Sequence, residues 1–362
     1  MGCGAWIATK RGGGMGMGEQ SERIGRLEER VRRDPAGRGL ISSEATRGVL
    51  CEGHLAAAAA DLASKSGPVA ILTGFFIPHG EPAAAETDGP PGAATLARVL
   101  VGLGREVVLL TDLPCEGAMR ATAAAAGLEE VELAVAPLEG SSRWCREFLA
   151  GRRDGGGLDH LVVIERVGPS HTVDSMRAQA RDGDPPEAEF LERVPAKSWG
   201  CCHNMRARVI DEWTADVSVL FDELHEFCAE AVTIGIGDGG NEIGMGAVPW
   251  EELVARLPGD HSVRIPCRIA TDWNLLAGIS NWGAWALAAA VAIEAGRIDV
   301  IEPLTPRWQH ELVARMVAEG PGVDGPSGQA VVAVDGLSIE DYLVPWSGIR
   351  SELGFSDPVP GI

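Results

Sequence analysis

Residues 231–246 read AVTIGIGDGGNEIGMG, an apolar run that passes directly into a glycine-rich loop. Val232, Ile234 and Ile236 predict a buried strand, whereas the six glycines within residues 233–246 would destabilise a regular helix or strand. Glycine lets the backbone approach a ligand closely, and carboxylates in such a loop can transfer protons or hold a cation. The pattern therefore favours a strand followed by a ligand-binding loop over a flexible linker.

Other apolar runs have the length and the Val, Ile and Leu content of strands that are buried on both faces. With the run above, the predicted strands are Val69–Thr73, Glu106–Thr111, Val131–Ala136, His160–Glu165, Val232–Ile236 and Ile265–Ala270. Candidate helices alternate with them, at Leu55–Ser64, Ala93–Leu103, Gly117–Ala126, Arg143–Ala150 and Asp211–Glu230. This alternation predicts an α/β fold: a mostly parallel sheet flanked by helices on both faces, Rossmann-like and doubly wound.

The 362 residues suffice for one large domain or two smaller ones. We predict a disordered or weakly structured segment over 1–44 and a single α/β domain over 45–355, with a polar excursion or lid around 168–200. For residues 1–20, a weak targeting segment is the alternative to a disordered start. The apolar stretch Leu275–Ala295 is rich in alanine and contains Ser280, which indicates a buried helix rather than a membrane span.

Charge and cysteine content narrow the class of protein. The net charge of −21 argues against binding to nucleic acid or to anionic membranes, since both rely on basic side chains. The eight cysteines include no C-x-x-C pair, which favours free thiols in a reducing compartment. We expect a soluble protein with a small-molecule partner, and the pattern leaves a homo-oligomer open.

The strongest site candidates follow the predicted strands, because ligands of parallel sheets bind outside the carboxyl ends of the strands. Acidic side chains cluster there, where connecting loops would favour Gly, Pro, Asn and Ser. The candidates in these loops are Thr73, Gly74, Glu86, Thr87, Asp88, Gly89, Glu165, Arg166, Gly237, Asp238, Gly239, Gly240, Asn241, Glu242 and Asp272.

Four motifs in this order resemble the D-glutamate cyclase family. They are Glu86-Thr87-Asp88-Gly89-Pro90-Pro91-Gly92, Glu165-Arg166, Gly235–Gly246 and Ser280-Asn281-Trp282-Gly283. The resemblance covers roughly residues 45–350 and implies a hydro-lyase that converts D-glutamate to 5-oxo-D-proline and water. It implies the cyclase part without the N-terminal hydratase-like domain of some members, and a location in the mitochondrial matrix or the cytoplasm.

One stretch departs from the family pattern. Residues 168–199 lack the tyrosine of the family, and Ala207 stands where the family has a glycine, directly after Asn204-Met205-Arg206.

Ring closure of glutamate needs a base for the α-amine, an acid for the departing oxygen, donors for the oxyanion and a clamp for the α-carboxylate. We expect Asp238 or Glu242 to be the base and Glu86 or Glu165 to be the acid. Crowded carboxylates raise one another's pKa, so that one of them can stay protonated near pH 7.

Binding roles are assigned to the remaining candidates. Arg166 and Arg206 could clamp carboxylates, and Asn241 and Asn281 could orient the substrate. The backbone amides of residues 237–240 and 89–92 could form a nest for an anion. The full set of expected substrate-binding residues is Thr73, Gly74, Thr87, Asp88, Gly89, Arg166, Arg206, Gly237, Gly239, Gly240, Asn241, Asp272 and Asn281.

Two alternatives stay open at this point. The first is a metal- or phosphate-dependent enzyme that acts on another small carboxylate, with a divalent cation at Asp238, Glu242 or Asp88. The second is a module that binds a small carboxylate without chemistry. The sequence requires no cofactor, and no residue is assigned as a metal ligand.

Overall fold

The computed structural model describes residues 17–356. Its strands are β1 (Val69–Thr73), β2 (Phe76–Ile77), β3 (Ala84–Glu86), β4 (Val107–Asp112), β5 (Glu132–Ala136), β6 (His160–Ile164), β7 (Val232–Gly237), β8 (Trp273–Leu276), β9 (Gly322–Val323), β10 (Ala333–Val334) and β11 (Leu337–Ser338). Its α-helices are α1 (Met17–Val31), α2 (Glu44–Arg47), α3 (His54–Ser64), α4 (Pro90–Gly102), α5 (Glu116–Ala125), α6 (Ser141–Asp154), α7 (Val173–Ala178), α8 (Glu187–Arg193), α9 (Val219–Asp222), α10 (Leu224–Phe227), α11 (Trp250–Arg256), α12 (Ser280–Glu294), α13 (Pro306–Glu319) and α14 (Ile339–Glu352).

The main sheet is six-stranded, parallel and ordered β5-β4-β1-β6-β7-β8. The chain builds outward from β1 in one direction, then crosses back to β6 and builds in the other. This reversal is a topological switch point, and ligands of such sheets bind there, outside the carboxyl ends of the strands. Two smaller sheets, β2-β3-β9 and β10-β11, lie outside the main one.

Alternate strand residues cover the two faces of the main sheet. Ile71, Leu109 and Val162 belong to one hydrophobic core, which they share with α1, α3, α4, α12, α13 and α14. Leu72 and Val163 belong to the core on the other face, which they share with α6, α9, α10 and α11. Because side chains of a strand alternate between faces, a strand buried on both sides is apolar throughout. The predicted doubly wound α/β fold is confirmed.

Five of the six predicted strands match observed strands to within one residue at each end. The sixth, Ile265–Ala270, is wrong, because the last strand of the sheet is β8. Pro266 lies in this run and has no N–H to donate to a sheet. The run is buried because it packs on the glycine-rich loop, where the carbonyl of Ile269 accepts from the N–H groups of Gly244 and Gly246.

The predicted helix Asp211–Glu230 is also wrong. The segment divides into a 3-10 turn at Asp211–Trp213 and the short helices α9 and α10. Between them, the backbone N–H of Ala215 donates to Asp112, and the carbonyl of Ala215 accepts from Arg166. These buried tertiary bonds hold the backbone away from a continuous helix, which overrides the weak local preference.

Residues 17–44 differ from the expected weakly structured segment, because α1 folds onto the domain. Ile24, Leu27 and Val31 lie on one face of α1 and are buried in the same core as α12 and α14. Beyond the helix, Gly278 leaves room for the chain to pass, since a Cβ on Gly278 would lie 1.6 Å from the carbonyl oxygen of Arg33. Residues 1–16, which hold most of the stretch where a targeting segment was left open, lie outside the described residues.

The excursion around 168–200 folds as α7, α8 and a 3-10 turn rather than as an open loop. Met176, Phe190 and Val194 form a small core with Trp250 and Val263. The cavity described below is lined by the residues that follow the excursion, at 204–206.

The apolar stretch Leu275–Ala295 contributes to β8 and to the buried helix α12. Over residues 17–356, the structure contains no helix with both the length and the apolar character needed to cross a bilayer.

Candidate active site

A cavity of about 290 Å³ opens at the carboxyl end of the main sheet, beside the switch point between β1 and β6. Phe75, which follows β1, and Glu165, which follows β6, both line it. Glu86 from β3, Asn241 from the glycine-rich loop and Asp335 from the turn between β10 and β11 complete its acidic and polar wall. The cavity is therefore built from segments that are far apart in the chain.

Three carboxyl groups converge beside this cavity. Asp88, Glu165 and Asp238 each place one carboxylate oxygen within 4.8 Å of the other two. Asp88 lies just beyond β3, Glu165 follows β6 and Asp238 follows β7, and all three side chains are buried. Glu165 belongs to the lining of the cavity, whereas Asp88 and Asp238 are buried next to it, outside the lining.

The acidic side chains lie at the amino end of α12 and bond to its first residues. The carboxylate of Asp88 accepts from the backbone N–H groups of Ser280, at 2.9 Å, and Asn281, at 2.8 Å. Oδ2 of Asp238 also accepts from the Ser280 N–H, at 3.2 Å, and the Ser280 hydroxyl donates to Glu165 at 2.5 Å. The first turn of a helix has free N–H groups and a positive dipole end, so the buried acids cap α12 in place of a local side chain.

Glu165 is held in a strained backbone conformation. Its φ is +44°, in the left-handed region that a residue with a Cβ rarely adopts. The N–H of Glu165 still bonds to the carbonyl of Ile236, which keeps the residue in line with the neighbouring strand. Gly89 lies directly against it, and a Cβ on Gly89 would meet Thr73 Oγ1 at 2.5 Å and the Cβ of Glu165 at 3.1 Å. Strain of this kind persists where packing imposes it, commonly at functional sites.

Burial raises the pKa of four acids here, Glu86, Asp88, Glu165 and Asp238. Burial and the nearby Asp335 raise the pKa of Asp88 to about 7, although N–H donors at the start of α12 oppose the shift. Burial, together with Asp335 and Asp88, raises the pKa of Glu86 well above its ordinary value. Buried carboxyl groups close to other acids hold protons at neutral pH.

The same forces act on the two acids that follow the central strands. Burial, together with Glu242 and Glu86, raises the pKa of Glu165 well above its ordinary value. Burial also raises the pKa of Asp238, and the guanidinium of Arg38 opposes that shift. The site can therefore both accept and donate protons near neutral pH.

Arg38 and Asp335 are site residues that the sequence reasoning missed. Nη1 of Arg38 lies 2.7 Å from Oδ2 of Asp238 and 2.7 Å from Oδ2 of Asp335, and its Nη2 donates to the other oxygen of Asp335 at 2.9 Å. Arg38 thus joins the acidic group from the segment between α1 and α2. The pairing with Asp335 is bidentate, which fixes the plane of the guanidinium.

Only one of these two residues had a usable sequence signal. Asp335-Gly336 lies between apolar residues, and Asp-Gly between two strands is a strong hairpin signal. Both residues have positive φ, +55° and +76°, as such a turn requires. Arg38 lies between Gly37 and Gly39 in a segment without strand or helix periodicity, so its place depends on tertiary packing alone.

Glu242 lies beside the cavity, but its carboxylate is hydrogen-bonded to backbone amides of its own loop. Its two carboxylate oxygens accept from the backbone N–H groups of Gly239 and Gly240, each at 2.7 Å. A Cβ on Gly237 would lie 2.9 Å from the same carboxylate, so glycine is needed for this close packing. The loop amides that we expected to bind an anion already bind Glu242, which therefore braces the loop that carries Asp238.

The side chain of Asn281 bonds to backbone amides of residues 89–92, the other loop that we expected to bind an anion. Its side-chain oxygen accepts from Gly89, at 3.0 Å, and Gly92, at 2.7 Å, and its amide nitrogen donates to the carbonyl of Thr87 at 3.1 Å. The N–H of Gly89 is also shared with the carboxylate of Asp88. Asn281 thus ties the loop of Asp88 to α12, a supporting role rather than a substrate contact.

Arg166 is buried in a structural ion pair. It donates to Asp112 at 2.7 Å, to the carbonyl of Gly74 at 3.0 Å and to that of Ala215 at 2.7 Å. It does not belong to the lining of the cavity. The expected clamp role therefore has no geometric support, and Arg166 instead fastens the ends of β1, β4 and β6.

Arg206 and Asn241 do line the cavity. Arg206 is exposed at the rim, where it donates to the carbonyl of Pro326. The side-chain nitrogen of Asn241 donates to the carbonyl of His203, while its buried Oδ1 has no partner among the described residues. Ala207 next to Arg206 has a φ of +52°, which is the physical reason that glycine suits this position.

Asp272 is placed wrongly by the sequence reasoning. It precedes β8 instead of following a strand, so it lies at the amino edge of the sheet, away from the cavity. Its carboxylate accepts there from the N–H and the hydroxyl of Thr233, both at 2.7 Å. The error follows directly from the wrong strand at Ile265–Ala270.

Thr73 and Thr87 lie close to the acids but inside the fold. The hydroxyl of Thr87 donates to the carbonyl of Ala333, which fixes the hairpin that carries Asp335. Thr73 is buried at the end of β1, and its hydroxyl has no partner among the described residues. Both are supporting positions around the acidic group.

The three converging acids also form a set that could hold a divalent cation. Asp88, Glu165 and Asp238 would supply hard oxygen ligands, which Mg²⁺ and Mn²⁺ prefer. Oδ1 of Asp238 is buried and has no partner among the described residues. Arg38 and Ser280 already contact Oδ2 of the same residue, so these groups and a cation would compete for it.

The doubly wound fold, with buried acids gathered at its switch point, indicates an α/β enzyme. A family model described as D-glutamate cyclase-like, C-terminal, matches residues 27–188 and 187–344. The chain belongs to this D-glutamate cyclase-like family. It is 31% identical over 279 residues to the mitochondrial D-glutamate cyclase of Homo sapiens.

That alignment covers 75% of this chain and 39% of the human protein, so the chain spans well under half of the relative. The seven cysteines among the described residues are free thiols.

Proposed function

We propose that this cavity cyclises D-glutamate to 5-oxo-D-proline with release of water. The observation that supports the proposal most is the gathering of four buried carboxyl groups with raised pKa in one place. They are Glu86, Asp88, Glu165 and Asp238. Cyclisation moves two protons from the α-ammonium group to one γ-carboxylate oxygen, so it requires groups that exchange protons near pH 7.

Asp238 is the base in this proposal. Its raised pKa makes its carboxylate a better proton acceptor than an ordinary aspartate, and Arg38 next to it favours the ionised form that can accept. Once the ammonium has lost a proton, the nitrogen lone pair attacks the γ-carbon and the new C–N bond closes a five-membered ring. Glu242 is the weaker candidate, because the loop amides occupy both of its oxygens.

Glu86 and Glu165 are the proposed acids. Both line the cavity, and the raised pKa of each keeps a proton available. Protonation of one γ-carboxylate oxygen makes the γ-carbon electrophilic, and a second proton lets that oxygen leave as water when the C–O bond breaks. The hydroxyl of Ser280, bonded to Glu165, fixes the direction of the Glu165 side chain.

The geometry disfavours the phosphate alternative. A phosphate site needs free backbone N–H groups in the glycine-rich loop, and those of Gly239 and Gly240 are bonded to Glu242. A divalent cation on Asp88, Glu165 and Asp238 remains a separate proposal, and it would polarise the γ-carboxylate.

The test is an incubation of purified protein with D-glutamate or L-glutamate, followed by chiral chromatography of 5-oxoproline. We expect turnover of D-glutamate to exceed that of L-glutamate. Absence of product, or equal turnover of both enantiomers, would overturn the proposal. The same incubation with EDTA, and with Mg²⁺ or Mn²⁺ added back, decides whether a cation takes part.

A further inference from the structure

Among the described residues near the cavity, Arg38 differs from the other cations in what it contacts. Arg166 is buried in an ion pair outside the lining, and Arg206 lies exposed at the rim. The imidazole of His79 also lines the cavity, but burial lowers its pKa and so favours its neutral form. Arg38 alone among these groups is a permanent cation in contact with the acidic group.

The segment around Arg38 is rigidly held. The carboxylate of Asp34 accepts from the N–H groups of Arg38 and Gly39, at 2.8 and 2.9 Å, and from the hydroxyl of Ser42 at 2.6 Å. The buried guanidinium of Arg256 donates to the backbone carbonyls of residues 40, 47 and 48. A side chain delivered by such a braced loop can act as a fixed binding group.

Arg38 and Asp238 form a pair of opposite charges side by side, 2.7 Å apart. An α-amino acid has the matching pattern, because its carboxylate and its ammonium group are attached to the same carbon. A substrate carboxylate on Arg38 would bring the neighbouring nitrogen to Asp238, where the proposed reaction needs it. Oδ1 of Asn241, buried and without a partner among the described residues, is a further acceptor in the same wall.

The two carboxylates of glutamate have different needs. The γ-carboxylate has to accept protons before its oxygen leaves, so it suits the wall of Glu86 and Glu165. The α-carboxylate stays ionised from substrate to product, so it suits a cation that never loses its charge.

We propose that Arg38 anchors the α-carboxylate of the substrate and that Asp335 positions the Arg38 guanidinium for this task. The proposal rests on the function proposed above. It assigns the N-terminal segment, which precedes the main sheet, to the substrate-binding site. Asp335 holds Nη1 and Nη2 of Arg38 in a bidentate pair, which leaves the plane of the guanidinium fixed when the substrate enters.

The first test measures binding of the product, 5-oxo-D-proline, and of its uncharged carboxamide by titration calorimetry. The product retains the α-carboxylate, and the carboxamide lacks only that charge. We expect the wild-type protein to prefer the acid roughly 10- to 100-fold, the range for hydrogen bonds to a charged group. Arg38→Ala should abolish this preference, and Arg38→Lys should reduce it, because lysine keeps the charge without the planar fork.

Arg47→Ala is the matched control, since Arg47 is an exposed arginine at the end of the following helix, α2, outside the cavity. It should keep the full preference for the acid. An Arg38→Ala protein that still prefers the acid would overturn the assignment of Arg38. Thermal unfolding checks that each variant folds, and Arg38→Lys keeps the test decisive if Arg38→Ala does not fold.

Kinetics separate this inference from the proposed function. For D-glutamate, Arg38→Lys should raise KM roughly tenfold or more, with a smaller change in kcat, because ground-state binding is lost. If the wild-type protein cyclises D-glutamate and KM is unchanged in Arg38→Lys, the inference on Arg38 alone fails. If the wild-type protein neither binds the product nor cyclises D-glutamate, the proposed function fails and the inference fails with it.

Discussion

Two buried groups of charged side chains lie at the same edge of the sheet, and they differ in their ratio of acids to cations. The first pairs one cation, Arg166, with one acid, Asp112, and adds two carbonyl acceptors. The second gathers Glu86, Asp88, Glu165, Asp238 and Asp335 around one cation of the described chain, Arg38. The first group is neutral as a unit and serves to hold strands together. The second has an excess of acids, which raises the pKa of Glu86, Asp88 and Glu165, a property that proton-transfer chemistry uses.

Removing the arginine should cost more stability in the first group. Arg166→Met leaves Asp112 buried without its partner, and breaking a buried pair destabilises by about 3–5 kcal/mol. Arg38→Met should cost clearly less, because Asp238 can take up a proton and the Arg38 side chain is 14% exposed. Denaturant unfolding of both variants measures the difference. Equal losses would mean that the two groups are both structural.

Neutralising an acid of the second group should affect turnover far more than stability. We expect Asp238→Asn to lower turnover of D-glutamate at least about a hundredfold, the order expected for a lost proton-transfer group. The matched control is Asp272→Asn, the same change at the opposite edge of the sheet, which should keep turnover. Unchanged turnover in Asp238→Asn would remove this residue from the mechanism.

The excess of acids should also make stability depend on pH. The pKa of Asp88 is raised to about 7 in the folded protein, above the ordinary value of 3.8. Its contribution to stability is therefore complete below about pH 4 and is lost as the pH rises through about 7. The raised pKa values of Glu86, Glu165 and Asp238 act in the same direction.

We expect the free energy of unfolding to fall between pH 5 and pH 7.5, by at most about 1.4 kcal/mol per pH unit and group. Denaturant unfolding in EDTA measures this slope, and Asp88→Asn should reduce it. A slope that is unchanged in Asp88→Asn would mean that Asp88 is not one of the groups that titrate on unfolding.

Much of this site follows from local sequence, because strands and the loops after them have strong signals. The run from Val232 to Ile236 predicts a strand, and the glycines that follow predict a tight loop that carries Asp238. The same logic places Asp88 and Glu165 at the sheet edge. It fails for Asp272, because Ile265–Ala270 is as apolar as a strand and yet packs as a loop.

The roles of individual residues were less predictable than their positions. Whether the amides of Gly239 and Gly240 bind a ligand or Glu242 depends on side-chain geometry that no pattern encodes. The same holds for Arg166, whose partner Asp112 follows a different strand. Arg38 had no signal, because a single arginine in an irregular segment becomes a site residue only when α1 docks on the core.

The pair of Arg38 and Asp335 joins positions 297 residues apart in the sequence. Nearly all of the described chain has to be synthesised before this contact can form. Contacts between such distant positions require closure of a very long loop, which slows folding. The strands and helices between them can assemble earlier, so an unfinished chain could hold its sheet and still lack a complete pocket. Activity would then appear late in biosynthesis, as one of the last steps of folding.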